Sequence, residues 1–380
     1  MPLLAWVLLA PVAGSIAFSL LVLAGARSYR RTGRPRPAPP VPISILKPLS
    51  GCDEGLEQNL RSFFEQDYPV FELLFSVRRA DDAAVPVVEG LLREYPDIPA
   101  RLIVAGEPLY PNAKIHALEA MLAAARHDLL VMADSDTRVG RDLLAVINTE
   151  FSDPKLGWAT CPYRAVPGSD VWSQLEAVGM NTEFLAGVLV ARLLEGMKFG
   201  VGPCMAARRE TVERIGGFAF FKNHLAEDFE MGRRAAESGY GVILSRYVIE
   251  HRIGTQQMRS NFAHRIRWVR STRRSRPAGY VGQLFTYPLP WALLLWAARP
   301  DWWPVAAASI LLRAVTILSV RALLRDSSPA RRWWLVPVEE ILTFAFWIAG
   351  FFGNTVTWRG RRFVLQRDGT FVPEASDRSL

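Results

Sequence analysis

The chain has 380 residues, enough for one large catalytic domain with membrane segments. Half of its residues are hydrophobic although 22% are charged, so the apolar residues must be gathered in blocks, and the net charge of +8 suits nucleic acid, an anionic membrane surface or a phosphorylated substrate. Cys52, Cys161 and Cys204 are far apart and outside any CxxC pattern, which speaks against a disulfide framework or a zinc site and suits a reducing compartment.

Leu3 to Ala24 is a nearly unbroken apolar segment, long enough to span a bilayer. No basic region precedes it. Arg27, Arg30, Arg31, Arg34 and Arg36 follow it, which predicts a signal anchor whose downstream side is cytoplasmic. Arg34 to Pro42 is a Pro-rich, extended linker.

Strand and helix then alternate. Val41 to Leu49 predicts a short strand. Ser50 to Asp67 predicts a turn and an amphipathic helix with Leu56, Leu60, Phe63 and Phe64 on one face. Phe71 to Val77 is a second strand, followed by Asp81 and Asp82. A helix over Val85 to Glu94, a strand over Arg101 to Val104 and a helix over Ile115 to Ala125 come next, the last opened by Pro111-Asn112-Ala113-Lys114. Leu129 to Met132 is an apolar run without helical gaps, as expected of a strand buried on both faces. The alternation predicts parallel βαβ units. No GxGxxG follows the first strand and no GxxxxGK[ST] occurs, so dinucleotide and P-loop readings are weak.

The fourth strand stops at Asp134-Ser135-Asp136. Ligands of open α/β sheets lie at the carboxyl ends of strands. One residue between the carboxylates puts both on one side of an extended backbone, where they can share a divalent cation. Hard oxygen ligands favour Mg2+ or Mn2+, completed by water and substrate phosphates.

Beyond Gly140 the pattern loosens. Gly157 to Tyr163 predicts a strand, and Trp172 to Leu194 a helix rich in apolar and small residues. Gly200 to Ala207 is a glycine turn into a strand, and Thr211 to Ile215 a short helix. Glu227 and Asp228 open a helix to Glu237, and Val242 to Leu244 is a strand. Met258 to Arg276 is strongly basic and contains His264, Arg267 and Trp268. Apolar blocks return at Leu284 to Ala297, Trp303 to Val320 and Ile341 to Phe352, with Arg313 inside the second. Arg321, Arg325, Arg331 and Arg332 and the tail cluster Arg359, Arg361 and Arg362 cannot both be cytoplasmic if Ile341 to Phe352 crosses alone, so one block does not span. The expected division is an anchor over 1–26, a linker over 27–40, a catalytic domain over 41–280, a hydrophobic region over 281–358 and a tail over 359–380.

Four polar elements thus lie at predicted strand ends or loops: Asp81/Asp82, Asp134/Asp136, Glu227/Asp228 and His264 to Trp268. Each has a plain alternative. Glu227/Asp228 can be a helix cap, Arg267 part of a lipid-surface patch, Lys114 a solvated cation and Cys204 a packed thiol. Their joint occurrence in this order suits a nucleotide-sugar transferase. That chemistry needs a contact to the nucleoside, a metal on the diphosphate, a base for the acceptor hydroxyl, and cationic and aromatic groups over the leaving diphosphate.

The stretches ISILKPLSGCDEGLEQNLRSFFEQDYPVFELLFSV, NAKIHAL, ADSDTRV, GVGPCMAARRETVERIGG, LAEDFEM, RIRWVR and TVTWRGRRFVL resemble the ceramide glucosyltransferase family and the related bacterial hopanoid-biosynthesis glycosyltransferases. The likeness runs from Ile43 to Leu365. It implies an α/β fold of GT-A type, a mixed and mainly parallel sheet with transmembrane helices. It implies an inverting, UDP-sugar-dependent hexosyltransferase acting on a membrane lipid. The sugar would be glucose or N-acetylglucosamine and the acceptor ceramide or a hopanoid. By position, Asp81 or Asp82 matches the nucleotide-contacting aspartate. Asp134, Asp136 or both match the metal site, with Asp134 also counted, like Lys114, among donor-binding residues. Asp228 matches the base. Arg267 and Trp268 match the RW of a (Q/R)xxRW motif whose first position is here His264, which still offers a hydrogen bond to the diphosphate. The expected setting is a bacterial inner membrane with the catalytic domain in the cytoplasm, the bilayer as partner and no nucleic acid. A processive polysaccharide synthase is the nearest rival enzyme, although the C-terminal region looks short for one. A membrane module binding anionic lipid or nucleic acid would explain the charge but not the carboxylates at strand ends.

Overall fold

In a computed structural model of the chain, residues 2–33, 38–327, 332–358 and 360–374 are described. Arg34, Arg36, Arg331, Arg359 and the tail beyond 374 lie outside the described residues. The chain forms two compact units. The first takes residues 1–33, 167–196 and 255–368, the second residues 34–166, 197–254 and 369–380. Residues 167–196 and 255–280 therefore pack with the N-terminal helix rather than with the remainder of the 41–280 segment.

Ten strands build the two sheets of the second unit: Ile43–Pro48 (β1), Phe71–Val77 (β2), Ala100–Val104 (β3), Leu129–Ala133 (β4), Thr137–Arg138 (β5), Leu156–Thr160 (β6), Tyr163–Pro167 (β7), Cys204–Arg208 (β8), Gly241–Leu244 (β9) and Ile249–Gly254 (β10). Seven form one sheet in the order β3-β2-β1-β4-β8-β6-β9. β1 is parallel to β2 and β4, β2 to β3, and β6 to β9. β8 runs antiparallel to both neighbours. A smaller sheet has the order β5-β10-β7.

Every residue of β2 and β4 is buried, as the unbroken apolar runs require. Glu72 is the exception in chemistry. Its carboxylate accepts from Ser44 Oγ at 2.7 Å and from the Arg126 amide at 2.6 Å, so its burial is compensated. One face of the sheet is covered by the helices Ala113–Ala124 and Glu227–Glu237. Leu118, Met121, Met231 and Ala235 join Leu46, Leu74, Leu130, Met132 and Met205 in one core cluster. Each large aliphatic chain so buried contributes about 1.5–3 kcal/mol.

The first unit is helical. Three helices, Leu3–Arg31, Val171–Glu195 and Pro300–Leu323, are long and apolar enough to cross a membrane, which marks a membrane protein. The N-terminal helix runs to Arg31, beyond the expected end at Ala24, so Arg27, Arg30 and Arg31 are helical and not linker. No proline lies between Ala24 and Arg31, and arginine is a good helix former. The Val171–Glu195 helix falls inside the expected catalytic domain, yet Gln174, Glu176, Glu183 and Arg192 only interrupt an otherwise apolar helix of membrane length. The block at Leu284 to Ala297 becomes Pro288–Ala298, short of a span, and Ile341 to Phe352 lies largely within a 16-residue helix, Leu335–Gly350. Thr355–Trp358, at the end of the expected hydrophobic region, and Arg361–Leu365, in the expected tail, pair as antiparallel strands.

Candidate active site

The Asp134-Ser135-Asp136 turn is fixed by neighbouring elements. The Asp134 amide donates to Pro203 O at 3.0 Å, tying the end of β4 to the start of β8. Lys47 Nζ on β1 donates to Asp134 O at 2.7 Å, and Asn59 Nδ2 donates to Ser135 O at 3.3 Å. Ser135 Oγ donates to Asp53 Oδ2 at 3.0 Å. Lys47 is wholly buried, 3.9 Å from the Phe63 ring centroid, and burial pushes its ammonium down to about 8.

Lys114 reaches the same strand end from the next crossover helix. Asn112 caps that helix by accepting from the Ile115 amide at 3.1 Å. Lys114 Nζ lies 2.7 Å from Asp134 Oδ1 and 3.3 Å from Glu227 Oε1, and Asn112 Nδ2 donates to Glu227 Oε2 at 3.3 Å. Burial works against the Lys114 charge, but Asp134 and Glu227 outweigh it and hold the amine protonated. Asp228 follows in the first turn of the Glu227–Glu237 helix. Burial and the neighbouring Glu227 charge raise its carboxyl to about 6, with Lys114 opposing. The turn beside it packs closely on that side chain: a Cβ on Gly202 would lie 2.7 Å from Asp228 Oδ2. Asp134, Lys114, Glu227 and Asp228 are thus brought together as the sequence order suggests.

Asp136 faces His251, with Nδ1 3.4 Å from its Oδ1. His251 arrives because β10 pairs with β5 and sets it opposite Thr137. Burial works against the Asp136 charge, but His251, Lys47 and Lys114 together outweigh it and hold the carboxyl below the usual carboxylate range. Asp134 is raised by burial and by Asp136, against the pull of Lys114. Lys47 and His251 went unseen in the sequence. A lone lysine in an apolar run and a lone histidine in IEHRIG carry no spacing signal.

Asp81 and Asp82 follow β2. Asp82 Oδ1 accepts from the Gly51 and Ala84 amides, both at 2.9 Å, so it ties the loops after β1 and β2. Asp81 is exposed and forks with Arg79 at 2.8 and 2.9 Å. His264, Arg267 and Trp268 lie in the first unit, on the Met258–Ser275 helix. His264 Nδ1 is 2.9 Å from Glu176 Oε1, and its ring meets Trp268 edge-on at 4.7 Å. Arg267 lies 6.0 Å from the Trp358 ring centroid.

Carboxylate oxygens are ligands that suit Mg2+ or Mn2+, and here Asp134 faces Lys114 while Asp136 faces His251. Among the described residues no three His, Cys, Asp or Glu side chains form a ready-made cage, so water and phosphate oxygens would complete the shell.

Residues 7–371 match the model of glycosyl transferase family 21. The chain belongs to that family. Among curated relatives, ceramide glucosyltransferase 1 of Caenorhabditis elegans is 29% identical over 245 residues, which is 64% of this chain and 52% of the relative. Ceramide glucosyltransferase 3 of the same organism is 31% identical over 232 residues, 60% and 50%. The family 21 chain spans about half the length of these relatives. Among solved structures, the mannosyltransferase PcManGT from Pyrobaculum calidifontis, in complex with GDP-Man and Mn2+, is similar at TM-score 0.55 and 21% identity over 91% of this chain and 99% of its own. That likeness is one of fold, the GT-A-type mixed sheet.

Proposed function

We propose that the chain is an inverting glycosyltransferase that moves a hexose from a UDP-sugar, glucose or N-acetylglucosamine, to the hydroxyl of a membrane lipid, ceramide first among acceptors. The observation that carries the reading is the cluster at the end of β4. One lysine there is clamped between Asp134 and Glu227, and Asp228 beside it has its carboxyl raised to about 6. Such a carboxylate is ionised at neutral pH yet basic enough to take the proton of an attacking hydroxyl. Glu227 is occupied by Lys114 and Asn112, so a single base remains and direct displacement with inversion follows. Lys114 offers its charge to the donor diphosphate. A Mg2+ or Mn2+ ion held by Asp134 and Asp136, with His251 beside them, would neutralise that diphosphate when bound. We assign the nucleoside contact to Asp81 or Asp82, and the leaving diphosphate to His264, Arg267 and Trp268. We place the second unit in the cytoplasm of a bacterial inner membrane. The names of the relatives support lipid glucosylation, and the metal and sugar nucleotide bound to PcManGT support a metal-dependent donor site.

The test is expression in a host without glycolipids, followed by mass spectrometry of its lipids with ceramide or a hopanoid polyol supplied. A ceramide hexoside is the expected product. A glycosylated hopanoid would transfer the reading to that acceptor. A polymer, or no glycoside together with no Mn2+-dependent UDP-sugar binding, would overturn it.

A further inference from the structure

The first unit buries charge inside apolar helices, where an isolated ion is costly and marks function unless it is fully paired. Most of these charges are fully paired. Arg265 forks onto Glu339 at 2.7 and 3.0 Å. Glu340 accepts from the Leu289 amide at 2.7 Å and from Arg313 Nε at 3.1 Å, so both its oxygens are used.

Arg313 is not. It is 6% exposed and lies within the membrane-length helix Pro300–Leu323. A guanidinium has five N–H donors. Among the described residues, Glu340 is its one hydrogen-bond partner, reached through Nε, and Nη1 and Nη2 have none. One turn earlier, on the same buried side of the helix, Ser309 is 1% exposed and its Oγ has no hydrogen-bond partner. The third member comes from Val171–Glu195. That helix is broken by a π-helical turn, Met180–Phe184, and such turns gather at functional sites. The turn carries Glu183, which interacts electrostatically with Arg313 and accepts from Thr286 Oγ1 at 3.2 Å. Two unused guanidinium nitrogens, an unused hydroxyl and a carboxylate thus gather within apolar helices.

We propose that Arg313, Ser309 and Glu183 form a recognition site for the polar head of a neutral lipid that carries both hydrogen-bond donors and acceptors, such as an amide with hydroxyls. The site deepens the reading of the chain as a lipid glycosyltransferase and rests on it for its place in catalysis. The charge balance sets the class. Arg313 is already neutralised by Glu340, so an anionic head would find no unpaired positive charge to offset its own desolvation. An amide carbonyl would accept from Nη1 and Nη2, and hydroxyls would bond to Ser309 Oγ and the Glu183 carboxylate.

The test uses the full chain in nanodiscs of zwitterionic lipid, with a short-acyl fluorescent ceramide as probe. Arg313→Lys keeps the charge beside Glu340 and loses the planar pair of donors, and Ser309→Ala removes a hydroxyl that holds nothing in the fold. Probe affinity should fall about tenfold in Arg313→Lys and about threefold in Ser309→Ala. In transfer assays the acceptor KM should rise by the same factors while kcat at saturating lipid holds within about twofold. Phosphatidic acid should not displace the probe. Unchanged affinity in both variants, displacement by phosphatidic acid, or no probe binding by the native chain would each overturn the site. Probe binding that falls in the variants, from a native chain that transfers no sugar, would keep the site and overturn the glycosyltransfer reading.

Discussion

A lipid hydroxyl holds its proton at neutral pH, so the residue that removes it governs the rate. Asp228→Asn keeps the shape of the side chain and removes the carboxylate proposed as that base. Transfer to lipid should fall about a hundred- to ten-thousand-fold while UDP-sugar affinity, read by calorimetry, stays within a few-fold. Lost donor binding would move Asp228 into the donor site. The pH dependence has a fixed sign. Below about 6 the raised carboxyl is protonated and cannot accept a proton, so kcat should drop roughly tenfold per pH unit on the acid side and level off above it. A flat profile across that range would assign the base elsewhere. Gly202→Ala tests placement rather than chemistry. The new Cβ would lie 2.7 Å from Asp228 Oδ2, and a carboxylate can turn away from it. Folding should hold, with thermal unfolding nearly unchanged, while transfer falls at least about tenfold. At this scale the sequence was legible where residues came in patterned groups. DSD at the end of an apolar run and ED before a helix were found. Lys47 and His251 were missed because their roles come from strand pairing, which brings residues 87 and 115 positions apart to one turn.

Among elements, the helix Ala113–Ala124 and the helix Glu227–Glu237 deliver the polar groups, and each is held by a device that mutation can remove. Asn112 caps the first and also donates to His224 O at 2.9 Å and to Glu227. Asn112→Ala should cost about 2 kcal/mol, from the lost cap and the buried acceptors left open, and lower Tm by roughly 4–8 °C. Asn112→Ser keeps a cap but not the second arm and should recover about half of the loss. Equal Tm for Ala and native chains would show that the cap is dispensable. The second helix docks backbone to backbone: a Cβ on Gly232 would lie 2.2 Å from the Gly200 amide nitrogen. Backbone cannot swing aside as a carboxylate can. Gly232→Ala should therefore destabilise by about 1–3 kcal/mol in chemical denaturation, unlike Gly202→Ala. The helices and buried strands of the first half were legible because their periodicity is strong. The two-residue β5 and the half-exposed β10 have too little pattern to be read, and both border the site.

For the whole molecule, the chain passes repeatedly between a helical unit and a sheet unit, and three helices have membrane length. Cys52, in the sheet unit, is exposed, whereas Cys161 and Cys204 are buried, so the native chain carries its own topological probe. A membrane-impermeant maleimide should leave intact cells unlabelled and modify Cys52 after permeabilisation. Labelling of intact cells would reverse the proposed orientation and remove access to a cytosolic UDP-sugar.

Local order along the chain determines most of the sheet unit. Each buried strand must be apolar throughout, each covering helix must carry one apolar face, and carboxylates at strand ends must have a ligand or a partner to justify them. These constraints act within a dozen residues and are written directly in the residues. Which carboxylate meets which cation, and which helix joins which unit, depends on contacts between distant segments. Val171–Glu195 shows the limit: its Glu176, Glu183 and Arg192 disguise a membrane-length helix, because their compensating partners lie far along the chain or in no sequence pattern at all. The open donors of Arg313 are likewise a tertiary fact, since an arginine in an apolar block reads only as an interruption until Glu340, its one hydrogen-bond partner among the described residues, is seen.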